Sequence, residues 1–372
     1  MRNRISVSLS LLAAFVVLAG CASAAFAQDD SQPTQPARGM FVVLPAHLHP
    51  DIAPPAASLP SWNGSFTYNG TNYTYNMVGT APSTNTSTTI TTYIIPVKIV
   101  ITNRNGSKTT FDPSHVLSNG NTVTTNTATS PIFDSTTTYV QGGVDVGTTQ
   151  YIDAFQRANF WGTVHTDTNY HVLLGATVLA EQTLSPSKSN GKTGSPFGFT
   201  AGEVNINWFD AQLPTIMANL GIQPNTFPIF LTYDVYLTQN GGCCIGGYHS
   251  SEGSVSNPQS YAEATYVDHP GAFSQDVSAL SHEVGEWMDD PVTTNPTPAW
   301  GNIGQVAGCQ NNLEVGDPLT GTFFPAVTLG NFTYDPQELV FFSWFFRQSP
   351  SIGAGGAFSN NGSFNTSPPS CP

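Results

Sequence analysis

The sequence predicts an α+β fold, and three observations carry that prediction. The first half of the chain holds β-branched, apolar runs with little helical period, as in TTYIIPVKIVIT (91–102). The second half alternates strand-like runs with segments of helical spacing. Only 9% of the 372 residues are charged, against 34 Gly and 28 Pro, a composition of strands and turns rather than of charged surface helices.

The first segment, residues 1–27, reads as an export signal. Arg2 and Arg4 are basic, residues 5–20 are apolar, and Ala25-Phe26-Ala27 precedes Gln28 with the small-x-small form of a cleavage site. The run is short for a membrane span. A second processing route stays open: Leu18-Ala19-Gly20-Cys21 has the form of a lipoprotein box, with Cys21 as the lipidated residue. Cleavage after Ala27 is preferred, and either route places the protein outside the cytoplasm, secreted or at the periplasm or cell surface. A membrane enters only through that anchor.

Residues 28–60 are proline-rich and read as an arm or linker. His47 and His49 form an H-x-H pair in it, taken as solvated rather than as a chelate. Residues 61–200 form a β-rich region. Within it 91–102 and 169–182 are strands, and Pro96 marks an edge or a bulge in the first. Tyr151, Ile152, Phe155, Ala158 and Trp161 recur at helical spacing, so 149–161 holds a short helix.

Residues 201–348 form the second region. A helix over 207–221 ends at Gly221, with Pro214 as its kink or true start. Strands follow at 227–237 and 260–267. The next helix has Ser274 as N-cap and Asp276 in its first turn, and it stops at Pro291. The aromatic run ELVFFSWFF (338–346) reads as a buried strand or packed helix rather than a specificity pocket. Residues 349–372 are a Gly/Ser/Asn-rich tail that Cys371 pins.

Lys plus Arg number 10 against 24 acids, a formal net charge of -14. Nucleic acid and anionic membrane surfaces need a cationic face, so both are excluded as partners. Apart from Cys21 there are four cysteines, an even number that suits two disulfides in an oxidising compartment. Cys243 and Cys244 are adjacent, and a bridge between neighbours is strained, so each is expected to reach Cys309 or Cys371 in an order left open. A thiolate metal site lacks its usual C-x-x-C pairs.

The chemistry concentrates in SALSHEVGEWMDDP (278–291). It begins as the zinc-peptidase signature H-E-x-x-H begins, then places Glu286 where the second histidine would stand. Residues four apart share a helix face, so His282 and Glu286 are neighbours able to grip one ion. Glu283 stands where a zincin glutamate reaches the activated water. Val277, Leu280, Val284 and Met288 form an apolar face, which Trp287 joins. Alone, H-E-x-x-E is weak. Downstream, CQNNLEVGDP (309–318) adds Glu314 and Asp317 as E-x-x-D.

The pair of segments resembles the gluzincin arrangement. That resemblance implies Glu314 as third ligand and Asp317 as the carboxylate that orients His282, with the two roles exchangeable. SHEVGEWMDDP…W…NLEVGDP is also similar to a pattern in secreted bacterial proteins of unknown function and, more remotely, in the plant phosphate-induced, EXORDIUM-like proteins. CCIGGYHS (243–250) matches a Cys-Gly-aromatic-His stretch of that group, so the likeness covers roughly residues 243–318. It implies a zincin-like region whose active-site helix packs on a mixed sheet. One imidazole and two carboxylates make a harder donor set than the usual zincin site. Zn2+ is the expected cofactor, with other divalent metals as competitors.

His249 and Tyr334 are the candidates for polarising a carbonyl. His249 is alternatively a fourth ligand, or simply an exposed loop residue. Asp289 and Asp290 stand near the His282–Glu286 face and either could ligate, but both are read as caps of a surface turn. The expected function is a metal-dependent hydrolase, a peptidase acting on peptide or protein substrates. The rival is a non-catalytic surface or matrix protein, or a binder of wall glycan, with a structural metal.

Overall fold

The structure, a computed structural model, describes residues 38–51, 57–166, 168–352 and 356–371. Residues 1–27, read from sequence as an export signal, lie with Cys21 outside the described residues. Those described belong to one compact unit, Pro36–Pro372. Among them no helix is long and apolar enough to cross a membrane.

The chain opens with β1 (Met40–Val43) and β2 (His47–His49), then the hairpin β3 (Ser61–Tyr68) and β4 (Thr71–Val78). β5 (Ser87–Thr102), β6 (Lys108–Phe111) and α1 (Val123–Ala128) follow, then a second hairpin, β7 (Thr137–Gln141) and β8 (Val144–Thr149). Next come α2 (Tyr151–Asn159), α3 (Trp161–Val164), β9 (His171–Val178), β10 (Gln182–Leu184), β11 (Gly191–Gly194) and β12 (Ala201–Asn205). After α4 (Ile206–Asp210) and α5 (Leu213–Leu220) run β13 (Phe227–Tyr233), β14 (Val235–Gln239), β15 (Gly242–Ser254), β16 (Asn257–Tyr266) and α6 (Ser278–Asp289). The hairpin β17 (Pro296–Ile303) and β18 (Val306–Asn312), the short pair β19 (Val327–Leu329) and β20 (Phe332–Tyr334), and α7 (Phe342–Phe345) complete it.

The fold is α+β, built on one mixed sheet of 12 strands. Its path is β10-β5-β13-β16-β15-β14-β12-β11, with β6 and β9 also beside β5 and with β1 and β2 beside β15. β5, β13 and β16 are parallel, and β15 returns antiparallel to β16. β13 reads as a nearly unbroken apolar run because both its faces are covered. In β13, Phe227, Ile229 and Leu231 enter the core on one face, and Phe230 the core on the other. α6 and α2 pack in the first core, α4 and α5 in the second.

Pro96 shows how a proline fits an interior strand. β5 is not an edge. It pairs β13 on one side, and on the other it pairs β9 up to Ile94 and β10 from Val97. Pro96 sits at the changeover between those two partners, where the missing N–H leaves no ladder bond broken.

Four other expectations meet corrections. The described part of the proline-rich arm is not a free tether, because β1 and β2 extend the main sheet by pairing parallel to β15. Ser274 does not cap the key helix: α6 starts after Val277, with no side-chain cap. Asp276 lies before the helix with φ 40, and its carboxylate accepts the N–H of Val277 and that of Asp335. The 207–221 helix is two helices, with Pro214 in the first turn of α5 and Gly221 closing it in the left-handed region. Cys243 and Cys244, joined by a cis peptide with Cα atoms 3.1 Å apart, pair with each other. Cys309 on β18 pairs instead with Cys371 of the tail, Cα–Cα 5.8 Å, so the distant partners are already taken by one another.

Candidate metal centre

All twelve residues of α6 are buried, so it is a core helix with chemistry on one face. Its apolar side seats Val284, Met288 and Trp287. The indole stacks on Phe227 at 3.6 Å between centroids and donates to Ser260 Oγ at 2.9 Å. Gly285 is required by packing: a Cβ there would lie 2.7 Å from Leu339 Cδ1. At the end of the helix, Asp289 accepts hydrogen bonds from Gln156 and Asn159 of α2. Asp290 accepts the N–H groups of Thr294 and Asn295 at 2.8 and 2.9 Å. Both acids are thus spent on structure.

The other side of α6 carries His282, Glu283 and Glu286. His282 Nε2 lies 3.0 Å from Glu286 Oε1 and 3.6 Å from Asp317 Oδ1. These three residues can each offer an atom within 4.8 Å of the others, a spacing compatible with one shared ion. Asp317 opens a 3-10 turn after β18 and is held by Gln305 and Gln310. It faces the same imidazole nitrogen as Glu286. Of the two arrangements the sequence leaves open, the geometry therefore favours Asp317 among the donors. Glu314 is buried beside Glu286, accepts from Asn312 Nδ2 at 2.7 Å, and has Oε2 without a hydrogen-bond partner. Gly316 donates its N–H to Glu286 Oε1 at 3.1 Å, and a Cβ on it would overlap the His282 ring.

His249 is not in a loop. It lies on β15 opposite Ala262 of β16, fully buried, with Nδ1 3.2 Å from Glu283 Oε2 and 3.7 Å from Glu286 Oε2. His249, Glu283 and Glu286 form a second group with metal-compatible spacing. Gly247, also on β15, makes room for Glu283: a Cβ there would come within 3.0 Å of its Cγ and Oε1.

The electrostatics follow from burial. Desolvation, then the neighbouring Glu286, pushes Glu283, Glu314 and Asp317 well above the usual carboxylate range. Burial alone would raise Glu286 as well, but His282 beside it, by charge and hydrogen bond, holds it below its ordinary value. Burial lowers His249 to about 4, so it is a neutral imidazole. Unpartnered buried atoms collect here: both nitrogens of His282, His249 Nε2, Glu283 Oε1 and Glu314 Oε2. Isolated donors and acceptors of this kind are costly in an apolar interior unless something satisfies them. The donor set and these orphaned atoms fit a divalent cation.

The site has a cover. Phe41 of β1 lays its ring on His282, 4.1 Å between centroids. Gln305 holds that residue by accepting its N–H and donating to its C=O, both at 2.7 Å. A cavity of about 250 Å³ between β1 and the β17–β18 hairpin is lined by Phe41, Val42, Gln305, Gln310 and Asn312 and reaches Asp317.

Other candidates lie elsewhere. The Tyr334 hydroxyl donates to Asn126. His47 and His49 are exposed on β2, with His47 3.4 Å from Asp210, and belong to no metal-compatible group among the described residues. Residues 338–346 are buried, with Trp344 edge-on to Trp300, as a packed core segment requires. Sequence reading passed over Asp234, Asp268 and His269, a third grouping nearer the surface. It also passed over Glu263, buried among β-strand neighbours, bonded by Thr232 and pushed up to about 8 by burial. An acid between Ala262 and Ala264 in a central strand was the available signal. Comparison of the chain with protein-family profiles, curated proteins and solved structures gave no match.

Proposed function

We propose that the chain is an exported, metal-dependent hydrolase, a zinc peptidase in its simplest form. The observation that carries the reading is the convergence of His282, Glu286 and Asp317 in a buried group with unsatisfied donor atoms. Zn2+ fits one imidazole and carboxylates, and Mn2+ or Fe2+ compete at so anionic a set. A cation held there supplies Lewis acidity and makes a water more acidic.

This chain's residues do the rest. Glu283, with Oε1 unpartnered, accepts the proton of the attacking water. Its raised affinity for protons suits it to pass that proton on to a leaving amine. His249, neutral and next to Glu283, steadies that carboxylate through Nδ1. The Gly316 N–H fixes Glu286. Peptides or proteins are the substrates, and export follows from the signal-like first segment.

Complete burial favours a second reading, a structural ion in a surface, matrix or glycan-binding protein. Elemental analysis beside turnover of a mixed peptide library separates the two. The hydrolase reading expects metal bound by the His282 group and turnover that Glu283→Gln abolishes while that ion stays. Bound metal with no turnover under any condition, and a melting temperature that drops in His282→Ala, supports the structural ion.

A further inference from the structure

We infer that the buried centre is built for two cations, bridged by the carboxylate of Glu286. The inference rests on the reading that the His282 group holds a metal, and it adds a second metal site.

The two oxygens of Glu286 serve different neighbourhoods. Oε1 lies 3.0 Å from His282 Nε2 and 3.1 Å from the Gly316 nitrogen. Oε2 faces the other way, 3.7 Å from His249 Nδ1. That nitrogen is in turn 3.2 Å from Glu283 Oε2. Two donor sets result, His282–Glu286–Asp317 and His249–Glu283–Glu286, each within 4.8 Å internally and joined by one carboxylate. A carboxylate with divergent oxygens between two such sets has the form of a bridging ligand, as in two-metal hydrolytic sites.

Each set also carries unpartnered atoms of fully buried side chains. On the first this is His282 Nε2, on the second Glu283 Oε1, with Glu314 Oε2 and His249 Nε2 also unpartnered nearby. The second set is shaped as a site: Gly247 on β15 lacks the Cβ that would press on Glu283, and His249 is fixed on the same strand two residues on.

Charge points the same way. Glu283, Glu286, Glu314 and Asp317 bring four carboxyl groups into the protein interior, and the ion-pair contacts of Glu283, Glu286 and Asp317 are with His249 and His282. So many acids with so little cationic partnering favour cations in the cluster, and the two donor sets, rather than a charge count, give their number. Both donor sets mix imidazole and carboxylate, so Zn2+ and Mn2+ are the fitting ions. Glu283 would join the second set through Oε2 and His249 through Nδ1, an ion there taking the place of the hydrogen bond between them, while Oε1 stays for the water's proton.

The test is the stoichiometry of the full chain, stripped with chelator and titrated with Zn2+, then with Mn2+. Expected are two equivalents per chain, one in His249→Ala, and a spin-coupled signal from the Mn2+ form by electron paramagnetic resonance. The wild-type count and the coupling need no variant, so a misfolded substitution does not decide the matter. One equivalent with uncoupled Mn2+ overturns the two-ion centre and leaves the proposed function standing. Zero equivalents overturns both.

Discussion

Phe41 and His282 stand 241 positions apart in the sequence and touch ring to ring, 4.1 Å between centroids and tilted by 32°. The contact closes one side of the metal-compatible face of α6. Phe41 is 2% exposed and also packs on Phe273. Phe41→Ala removes a buried aromatic ring and should cost about 3 kcal/mol of stability. It should also speed the loss of bound metal to an added chelator several-fold, measured by absorbance of the metal–chelator complex. An unchanged exchange rate would show that the ring guards nothing.

Gly316 is the second point where space is decisive. Its backbone is in the right-handed region, so the constraint is the close approach of His282 and not the torsion angle. Gly316→Ala should push the imidazole out of line with Glu286 and Asp317. The expected result is weaker Zn2+ binding by at least tenfold in a calorimetric titration, at a stability cost of about 1–3 kcal/mol. Full-strength binding in that variant would remove His282 from the donor set.

Stability of the metal-free chain should fall as pH rises. Burial pushes Asp276 up to about 8, while its unfolded value is about 4. Between those values the folded chain holds a proton that the unfolded chain has released, so folding loses support across that window. Asp289 and Asp290, pushed to about 7 by burial, act in the same direction. Melting temperatures in chelator should therefore be lower at pH 8 than at pH 5. Asp276→Asn should make the slope shallower, and equal slopes in the two proteins would contradict the assignment.

The Cys309–Cys371 bridge closes a long loop, with the partners 62 positions apart, and it anchors the tail to β18. Chain-entropy reasoning gives about 4 kcal/mol as the upper end of its worth. Cys309→Ser should lower the melting temperature by several degrees without altering metal stoichiometry, since neither cysteine belongs to a donor group. A loss of metal in this variant would tie the tail to the centre.

The helix and the strands of the core were legible because local pattern and burial agree there. β13 reads as apolar on both faces and is buried on both; α6 ends before Pro291 as proline chemistry requires. What escaped the sequence depends on partners far along the chain. β1 is a strand because β15 offers it an edge, and nothing in its proline-rich surroundings announces that. The start of α6 has no side-chain cap; a turn with Asp276 at positive φ sets it, which capping rules do not anticipate. The candidate donors His282 and Glu286 were readable from i, i+4 spacing, and the downstream acid pair was readable too, although the resemblance put Glu314 before Asp317 as the ligand. His249 was only half readable, since a Gly-rich stretch looks like a loop until β16 pairs with it.

The clamp of Gln305 on Phe41 fixes an order of assembly. The two residues lie 264 positions apart, and β1 cannot be placed until β15 and the turn that carries Gln305 exist. Contacts of such separation form late, because the chain between them must first be organised. β1, the first strand among the described residues, is thus expected among the last to settle, with the His282 face of α6 uncovered on that side until it does. On the proposed reading an ion would enter on that side most easily in that interval, and a chain folded without ions would take them up faster when its Phe41 contact is released.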